Sequence, residues 1–200
     1  MHHLMIDIET LGTTPNAPIV QIGAVFFNPG TYKLGESLDL RINLKTAMQG
    51  RTVDPGTLQF WLTQSEKARE AMAQPQGTSN LQYALIALAG LIRNNHDPDN
   101  YLRVWTNGPS FDQAILEDAY RQYNMDIPWP YAAGRDVRTI CELAKPAMDR
   151  KSFTFYGEPH RALDDAKHQA IFVSYMWQYL GESRGLKPTK ADGGRREPTK

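Results

Sequence analysis

Extended patterns in the first 45 residues constrain the fold most strongly. Residues 4–8 (LMIDI) and 19–27 (IVQIGAVFF) are apolar and β-branched, which predicts two buried strands. Residues 38–44 (LDLRINL) alternate apolar and polar side chains, which predicts a half-exposed strand. The turn signal at residues 28–30 (NPG) lies between the last two runs. The sequence therefore predicts an antiparallel meander of three strands.

The rest of the chain alternates helical patterns with a further strand. One helix is expected to start near residue 54, another near residue 65, and a longer one after an N-cap at Thr78 or Ser79. The remaining predicted elements are a strand at 102–106 (LRVWT) and helices at 111–123, 136–147 and 161–179. Strands followed by alternating helices and strands indicate an α/β domain with a mixed central sheet flanked by helices.

Composition defines the expected boundaries and location. Residues 1–181 are expected to form one domain, and residues 182–200, which are basic and nearly without large apolar side chains, a disordered tail. The single cysteine, Cys141, and the lack of a signal or membrane pattern favour a cytoplasmic protein. The net charge of zero does not indicate a nucleic-acid binder, but an acidic metal site would cancel basic surface in this sum.

The first acidic motif is Asp7-Ile8-Glu9, at the end of the first predicted strand. Residues two apart on a strand face the same side, so both carboxylates point to one place. Paired carboxylates repel each other unless a cation lies between them, and Mg²⁺ and Mn²⁺ prefer oxygen ligands. The pair is therefore a candidate metal site, although this short motif by itself has low specificity.

Two further motifs carry acidic residues at predicted helix starts. His160 and Asp165 lie in HRALDDA, where a histidine in the loop or first turn could serve as a general base for an attacking water. Asp112 follows the strand at 102–106, at the strand end where α/β sheets collect ligands. For each motif alone, the structural alternative is an acid that favours the helix dipole.

Together, DIET, the Phe-Asp pair at 111–112 and HRALDDA resemble the DEDDh branch of the DnaQ-like, ribonuclease H-like exonucleases. The resemblance covers about residues 4–178 and implies a ribonuclease H-like fold. The second motif departs from the family pattern, because Asn107 stands four residues before Phe111. Residues 57–61 and 135–139 are similar to a small phage and bacterial branch of exonucleases and exoribonucleases.

The resemblance implies a metal-dependent 3′–5′ exonuclease that releases nucleoside 5′-monophosphates, with two divalent ions, Mg²⁺ or Mn²⁺, about 4 Å apart. It implies that Asp7 bridges both ions, that Glu9 and Asp165 complete one site, and that Asp112 serves the other. His160 would accept the proton of the attacking water. The family pattern favours Asp165 over Asp164 as the ligand, and Asp136 is expected to have a structural role, as a helix cap or in a salt bridge.

Substrate contacts are expected from two pairs of residues. The resemblance implies that the backbone at Thr10 and Leu11 meets the terminal 3′-OH, with Leu11 as a wedge against the last base. Trp61 and Phe111 are candidates for base stacking, with core packing as the alternative for each. The expected partners are 3′ ends of single-stranded DNA or RNA, and a homodimer is left open by the resemblance.

Two other functional classes remain as alternatives at this point. A nucleic-acid-binding module that has lost catalysis is disfavoured because all five site positions are intact: Asp7, Glu9, Asp112, His160 and Asp165. A structural or regulatory protein whose acids only cap helices would show no stabilisation by Mn²⁺. The sequence does not distinguish DNA from RNA as the substrate.

Overall fold

A computed structural model describes residues 1–73, 79–144, 153–155 and 157–183 of the chain. Its centre is a five-stranded sheet in the order β3-β2-β1-β4-β5. Strand β1 pairs antiparallel with β2 and β2 with β3, whereas β4 is parallel to β1 and β5 is parallel to β4. The strands are β1 (His3–Thr10), β2 (Ile19–Asn28), β3 (Lys33–Arg41), β4 (Arg103–Thr106) and β5 (Gly134–Asp136).

Helices cover both faces of this sheet. They are α1 (Leu44–Ala47), α2 (Pro55–Leu62), α3 (Glu66–Ala73), α4 (Leu81–Asn95), α5 (Asp112–Gln122), α6 (Val137–Leu143) and α7 (Ala162–Ser183). Residues of α2, α4 and α5 form one buried core with Leu4, Ile6 and Ile8 of β1. Residues of α6 and α7 form a second core with Met5, on the opposite face of the same strand. Within the described part of the chain, no helix combines the length and apolarity of a membrane span.

The start of α7 packs directly on the sheet because Gly23 of β2 has no side chain. A Cβ at Gly23 would overlap backbone atoms of Ala162 and Leu163, the first residues of the helix. The side chain of Gln21, buried in the same strand, accepts a hydrogen bond from the Ala162 N–H at 3.4 Å. Gly23 is the β2 partner of Asp7 in the sheet register. The close approach therefore brings the first turn of α7 next to the carboxyl end of β1.

The predicted meander and mixed sheet are confirmed, and the differences from prediction lie at element ends. Alternation predicted a strand at residues 38–44, whereas β3 begins at Lys33 and ends at Arg41. It ends earlier than predicted because the chain enters the short helix α1 at Leu44. The predicted N-cap at Ser79 is wrong: the side chain of Asn80 accepts the Tyr83 N–H at 2.7 Å and starts α4. Ser79 instead bridges to Ile42.

The C-terminal helices agree closely with prediction. Helices α5 and α7 each start one residue after the predicted start, and α7 continues to Ser183. Helix α7 therefore extends two residues into the predicted tail, of which residues 184–200 lie outside the described residues. The other predicted N-cap for α4, Thr78, and the end of the helix predicted at 136–147 also lie outside them.

Candidate active site

Three carboxylates meet where β1 ends and α7 begins. Asp7 and Glu9 project from the same face of β1, and Asp165 reaches them from the first turn of α7. One carboxylate oxygen from each residue lies within 4.8 Å of those from the other two. Oxygen atoms at this spacing are a donor set suited to a divalent ion such as Mg²⁺ or Mn²⁺.

A fourth carboxylate, Asp112, joins the group from α5. The backbone N–H of Ile8 donates a hydrogen bond to its Oδ1 at 3.3 Å, and the residue is only 3% exposed. Because Ile8 stands between Asp7 and Glu9 in the chain, this bond places Asp112 beside both acids. The structure therefore brings together all four acidic residues singled out in the sequence, although Asp112 lies outside the tight group of three.

Burial and mutual repulsion raise the pKa values of these acids. Desolvation, followed by repulsion from Asp112, Glu9 and Asp165, raises the pKa of Asp7 well above its usual value. Desolvation and the neighbouring Asp165 and Asp112 raise the pKa of Glu9 to about 8, and burial raises the pKa of Asp112 to about 7. Protein groups alone therefore disfavour the ionised cluster, whereas bound divalent cations would favour it. The residues fit a divalent metal centre.

A buried glutamine, Gln169, supports the cluster and was not anticipated from the sequence. Its Nε2 donates a hydrogen bond to Oδ1 of Asp7 at 2.8 Å. The bond fixes the orientation of the Asp7 carboxylate and lowers its pKa, opposing the larger effect of burial. Gln169 is four residues after Asp165, so both side chains lie on the same face of α7. The four-residue spacing from Asp165 was the sequence signal from which Gln169 could have been identified as a neighbour of the cluster.

The histidine singled out in the sequence lies in the turn before α7. His160 has a left-handed backbone, with φ of 63°. Its ring packs edge-on against Phe60 and Trp61 of α2, with centroids 5.3 and 6.2 Å apart. Asp164 has a separate role, because its Oδ2 accepts the backbone N–H of Glu158 at 3.1 Å and steadies the same turn. Asp165, and not Asp164, thus lies in the cluster.

A cleft of about 400 Å³ opens between the end of β1 and α2. Its walls include Glu9 from the acidic cluster, Thr10, Phe60 and Phe111. Phe60 is 44% exposed, so its ring is available for contact with a ligand. Phe111 is half-buried, which leaves part of its ring at the cleft wall. The cleft therefore places aromatic surface beside Glu9 of the cluster.

Two of the expected substrate contacts need correction. Trp61 also borders the cleft but is only 1% exposed, and its Nε1 donates to the Thr10 carbonyl at 2.9 Å, so it packs instead of offering a face to a base. The side chain of Leu11 is buried in the core, and its N–H donates to the Pro18 carbonyl at 2.9 Å. Leu11 thus has neither a free wedge nor a free N–H. The exposed aromatic residue is Phe60, which adjoins Trp61 in the sequence and was not singled out.

Asp136, the other acid considered from the sequence, caps α6. Its Oδ1 accepts the Arg138 N–H at 3.1 Å and its Oδ2 the Thr139 N–H at 3.2 Å. The carboxylate is thus occupied at the helix start, which agrees with the expected structural role.

A mixed five-stranded sheet flanked by helices, with buried acids at the end of its central strand, defines a nuclease of the ribonuclease H-like fold. The chain belongs to the family described as the 3′-5′ exoribonuclease Rv2179c-like domain, whose model matches residues 2–177. It is a 3′–5′ exonuclease, as the sequence motifs predicted.

Individual proteins are similar to this chain in sequence or in fold. The exodeoxyribonuclease of Enterobacteria phage T4 is 27% identical over an alignment of 212 positions that covers 90% of both chains. The nuclease domain of 3′hExo, a DEDDh family member solved with bound rAMP, has a TM-score of 0.61 at 14% identity, over 88% of this chain and 91% of that one. Pop2p of S. pombe, solved with Mg²⁺ and Mn²⁺, has a TM-score of 0.61 at 14% identity, over 90% of this chain and 84% of that one.

Proposed function

We propose that this exonuclease shortens single-stranded nucleic acid from its 3′ end and releases nucleoside 5′-monophosphates at the four-acid site. The observation that carries the proposal is the meeting of Asp7, Glu9 and Asp165, within 4.8 Å, at the edge of a cleft the size of a small ligand. We assign residues 1–181 as the catalytic domain.

We assign two divalent ions, Mg²⁺ or Mn²⁺, to the carboxylates. Asp7 interacts with each of the other three acids and would contact both ions, with Glu9 and Asp165 on one and Asp112 on the other. Such ions lower the pKa of the attacking water and stabilise the charge on the leaving oxygen. Gln169 holds the Asp7 carboxylate in place from behind. The metal-bound form of Pop2p and the rAMP-bound form of 3′hExo are consistent with this assignment.

His160 is the proposed general base, which accepts the proton of the attacking water. Its ring adjoins Phe60 and Trp61 in the wall of the cleft that also contains Glu9. Histidine is the side chain that most often serves as a general base, because its imidazole can accept and release a proton during each turnover. Its place in a turn, outside the regular helix, allows the ring to approach the site when substrate enters.

The cleft is the proposed site of the terminal nucleoside. Phe60 offers an open aromatic face, and Phe111 offers part of another. Aromatic faces stack on any base, so the cleft would accept 3′ ends of varied sequence. Thr10 lies in the same wall and brings its backbone close to the terminal sugar.

The test is hydrolysis of 5′-labelled single-stranded DNA and RNA with Mg²⁺ or Mn²⁺. The wild-type protein should shorten the label stepwise, and EDTA or Asp7→Ala should abolish the ladder. Asp99→Ala is the matched control, since this exposed aspartate lies in the loop between α4 and β4. Equal activity of Asp7→Ala and the control would refute the assigned site. Comparison of the two polymers measures the sugar preference directly.

A further inference from the structure

Arg138 is a cationic side chain beside the acidic cluster that the proposed mechanism leaves unused. It is the second residue of α6, directly after β5, and is exposed. Its backbone N–H is fixed by the Asp136 cap at 3.1 Å, so the side chain starts from a rigid position. Helix α6 packs against α7 on the face of the sheet from which Asp7 and Glu9 project.

The guanidinium of Arg138 lies flat on Gly108, in the turn between β4 and α5. A Cβ at Gly108 would meet Nη1, Cζ and Nη2 of Arg138 at 3.3, 3.4 and 3.7 Å. Gly108 also has φ of 129°, a conformation that L side chains rarely adopt. The turn closes with a hydrogen bond from the Phe111 N–H to the Gly108 carbonyl at 2.8 Å and leads directly into Asp112. The turn thus places the cation next to an acid of the cluster.

The charge of Arg138 is available for a ligand. Within the described ranges its guanidinium forms no ion pair, whereas Arg51 is paired with Asp118, Arg121 with Glu117 and Arg161 with Asp39. The cation lies close enough to Asp112 to lower the pKa of that carboxyl, against the larger effect of burial. An exposed arginine that contacts backbone and is not paired with a carboxylate can present its N–H groups to an incoming anion.

We propose that Arg138 binds a backbone phosphate of the substrate, one nucleotide upstream of the bond that is cut. The cleft and the cation contact opposite ends of the same turn, because Phe111 lines the cleft and the guanidinium lies on Gly108. A strand with its last nucleoside in the cleft and its scissile phosphate at the acids continues past this turn. Arginine forms paired, charge-assisted hydrogen bonds with phosphate oxygens. The inference rests on the proposed position of the 3′ end.

The test compares Arg138→Gln with Arg121→Gln, an exposed arginine at the far end of α5. Binding of a labelled single-stranded oligonucleotide is measured by fluorescence anisotropy with Ca²⁺, so that the readout does not depend on turnover. Loss of one charged hydrogen-bond donor should raise Kd about tenfold in Arg138→Gln and leave it unchanged in the control. The slope of log Kd against log salt should fall by about 0.7 for one lost contact.

A hydrolysis assay then tests whether Arg138 contacts the phosphate upstream of the scissile bond. The p-nitrophenyl ester of a nucleoside 5′-monophosphate contains the scissile bond but no upstream phosphate. Arg138→Gln should raise KM for the oligonucleotide about tenfold and leave hydrolysis of the ester unchanged. Unchanged oligonucleotide binding, or equal losses on both substrates, would overturn the proposal. A wild-type protein that binds the oligonucleotide but cleaves neither substrate would instead refute the proposed function.

Discussion

The acidic cluster and the aromatic cleft adjoin each other but are built in opposite ways. The carboxylates project from regular elements, since Asp7 and Glu9 are in β1, Asp165 is in α7 and Asp112, which is almost fully buried, begins α5. The open wall of the cleft lies at the periphery: Phe60 is exposed, and His160, whose ring packs against Phe60, is in a turn with a left-handed backbone. The cluster is therefore held by the core, whereas the cleft is held by ring contacts at the surface.

This difference separates two kinds of work in the proposed reaction. Ligands for two ions must be held in a fixed geometry, which regular elements with a buried hydrogen-bond network provide. The proposed base must change position as substrate binds and product leaves, and the aromatic surface must accept different nucleosides. Both functions are easier for side chains that can move. Substitutions in the cluster should therefore affect catalysis most, and substitutions in the cleft should affect binding most.

Asp7→Asn tests the cluster and should have the largest effect. The asparagine Oδ1 can still accept the bond from Gln169, so the fold should persist while the charge that would bind the proposed metal ions is lost. We expect kcat to fall by about 10³-fold or more. Isothermal titration with Mn²⁺ should show weakened binding, and Asp99→Asn should behave as the wild type. Retained Mn²⁺ affinity in Asp7→Asn would remove this residue from the metal centre.

His160→Gln tests whether His160 acts as a general base or only packs against α2. Removal of a general base should lower kcat by about 10²-fold, with little change in KM. Mn²⁺ affinity should stay the same, because the imidazole packs on Phe60 and Trp61 and is not part of the three-carboxylate group. The control is His96→Gln, at the C-terminal end of α4. An unchanged pH–rate profile in His160→Gln would contradict the assignment as base.

Phe60→Ala and Trp61→Ala form a pair of adjacent substitutions with opposite expected results. Loss of the exposed ring of Phe60 should raise KM for an oligonucleotide about tenfold and leave Tm nearly unchanged. Loss of the buried Trp61 removes core volume and the bond to Thr10, and should lower the free energy of unfolding by about 3–5 kcal/mol. Equal effects of the two variants on KM and Tm would contradict the assignment of Phe60 to substrate stacking and of Trp61 to core packing.

The smallest expected effect is the pH dependence of metal-free stability. The pKa of Glu9 is raised from 4.5 to about 8, and that of Asp112 from 3.8 to about 7. At a pH between the ordinary and the raised pKa of each acid, the folded state binds more protons than the unfolded state. The free energy of unfolding is therefore higher at low pH and decreases as the pH rises through this range. With EDTA, Tm should fall by several degrees between about pH 5 and pH 8.

The matched control for this pH dependence is the double variant Glu9→Gln, Asp112→Asn. Its Tm should vary less with pH, because neither replacement titrates. Mn²⁺ should raise the Tm of the wild type more at pH 8 than at pH 5, since cations compete with protons for the same carboxylates. A wild-type Tm that rises over this range in EDTA, relative to the double variant, would contradict the raised pKa values.

The parts of the site that follow local periodicity were predictable from the sequence. The i, i+2 spacing of Asp7 and Glu9 determines that they share a face of β1, whatever the rest of the chain does. The position of Asp112 depends on its bond to Ile8, which spans 104 residues and has no local signature. The choice between Phe60 and Trp61 was also inaccessible, because it depends on where the loop after β1 packs against α2.

The same reasoning applies to the fold. Apolar runs and turn residues located four of the strands, whereas the end of β3 was misplaced because alternation continues into residues that form α1. The predicted start of α4 was wrong because several neighbouring polar residues have similar capping ability. In the structure, Asn80 is the residue whose side chain caps the helix. Tertiary contacts decide such cases, and local patterns do not encode them.

Gly23 has a consequence for how activity is inferred across related chains. Its missing side chain is what lets the backbone of Ala162 rest on β2 and carry Asp165 to the cluster. A relative with alanine at this position would retain every acid and the histidine, yet its last helix would be displaced from the sheet. A survey that scores only the five motif residues would count such a chain as an active nuclease. The glycine, which touches no substrate, is thus a sixth position to inspect before activity is assigned.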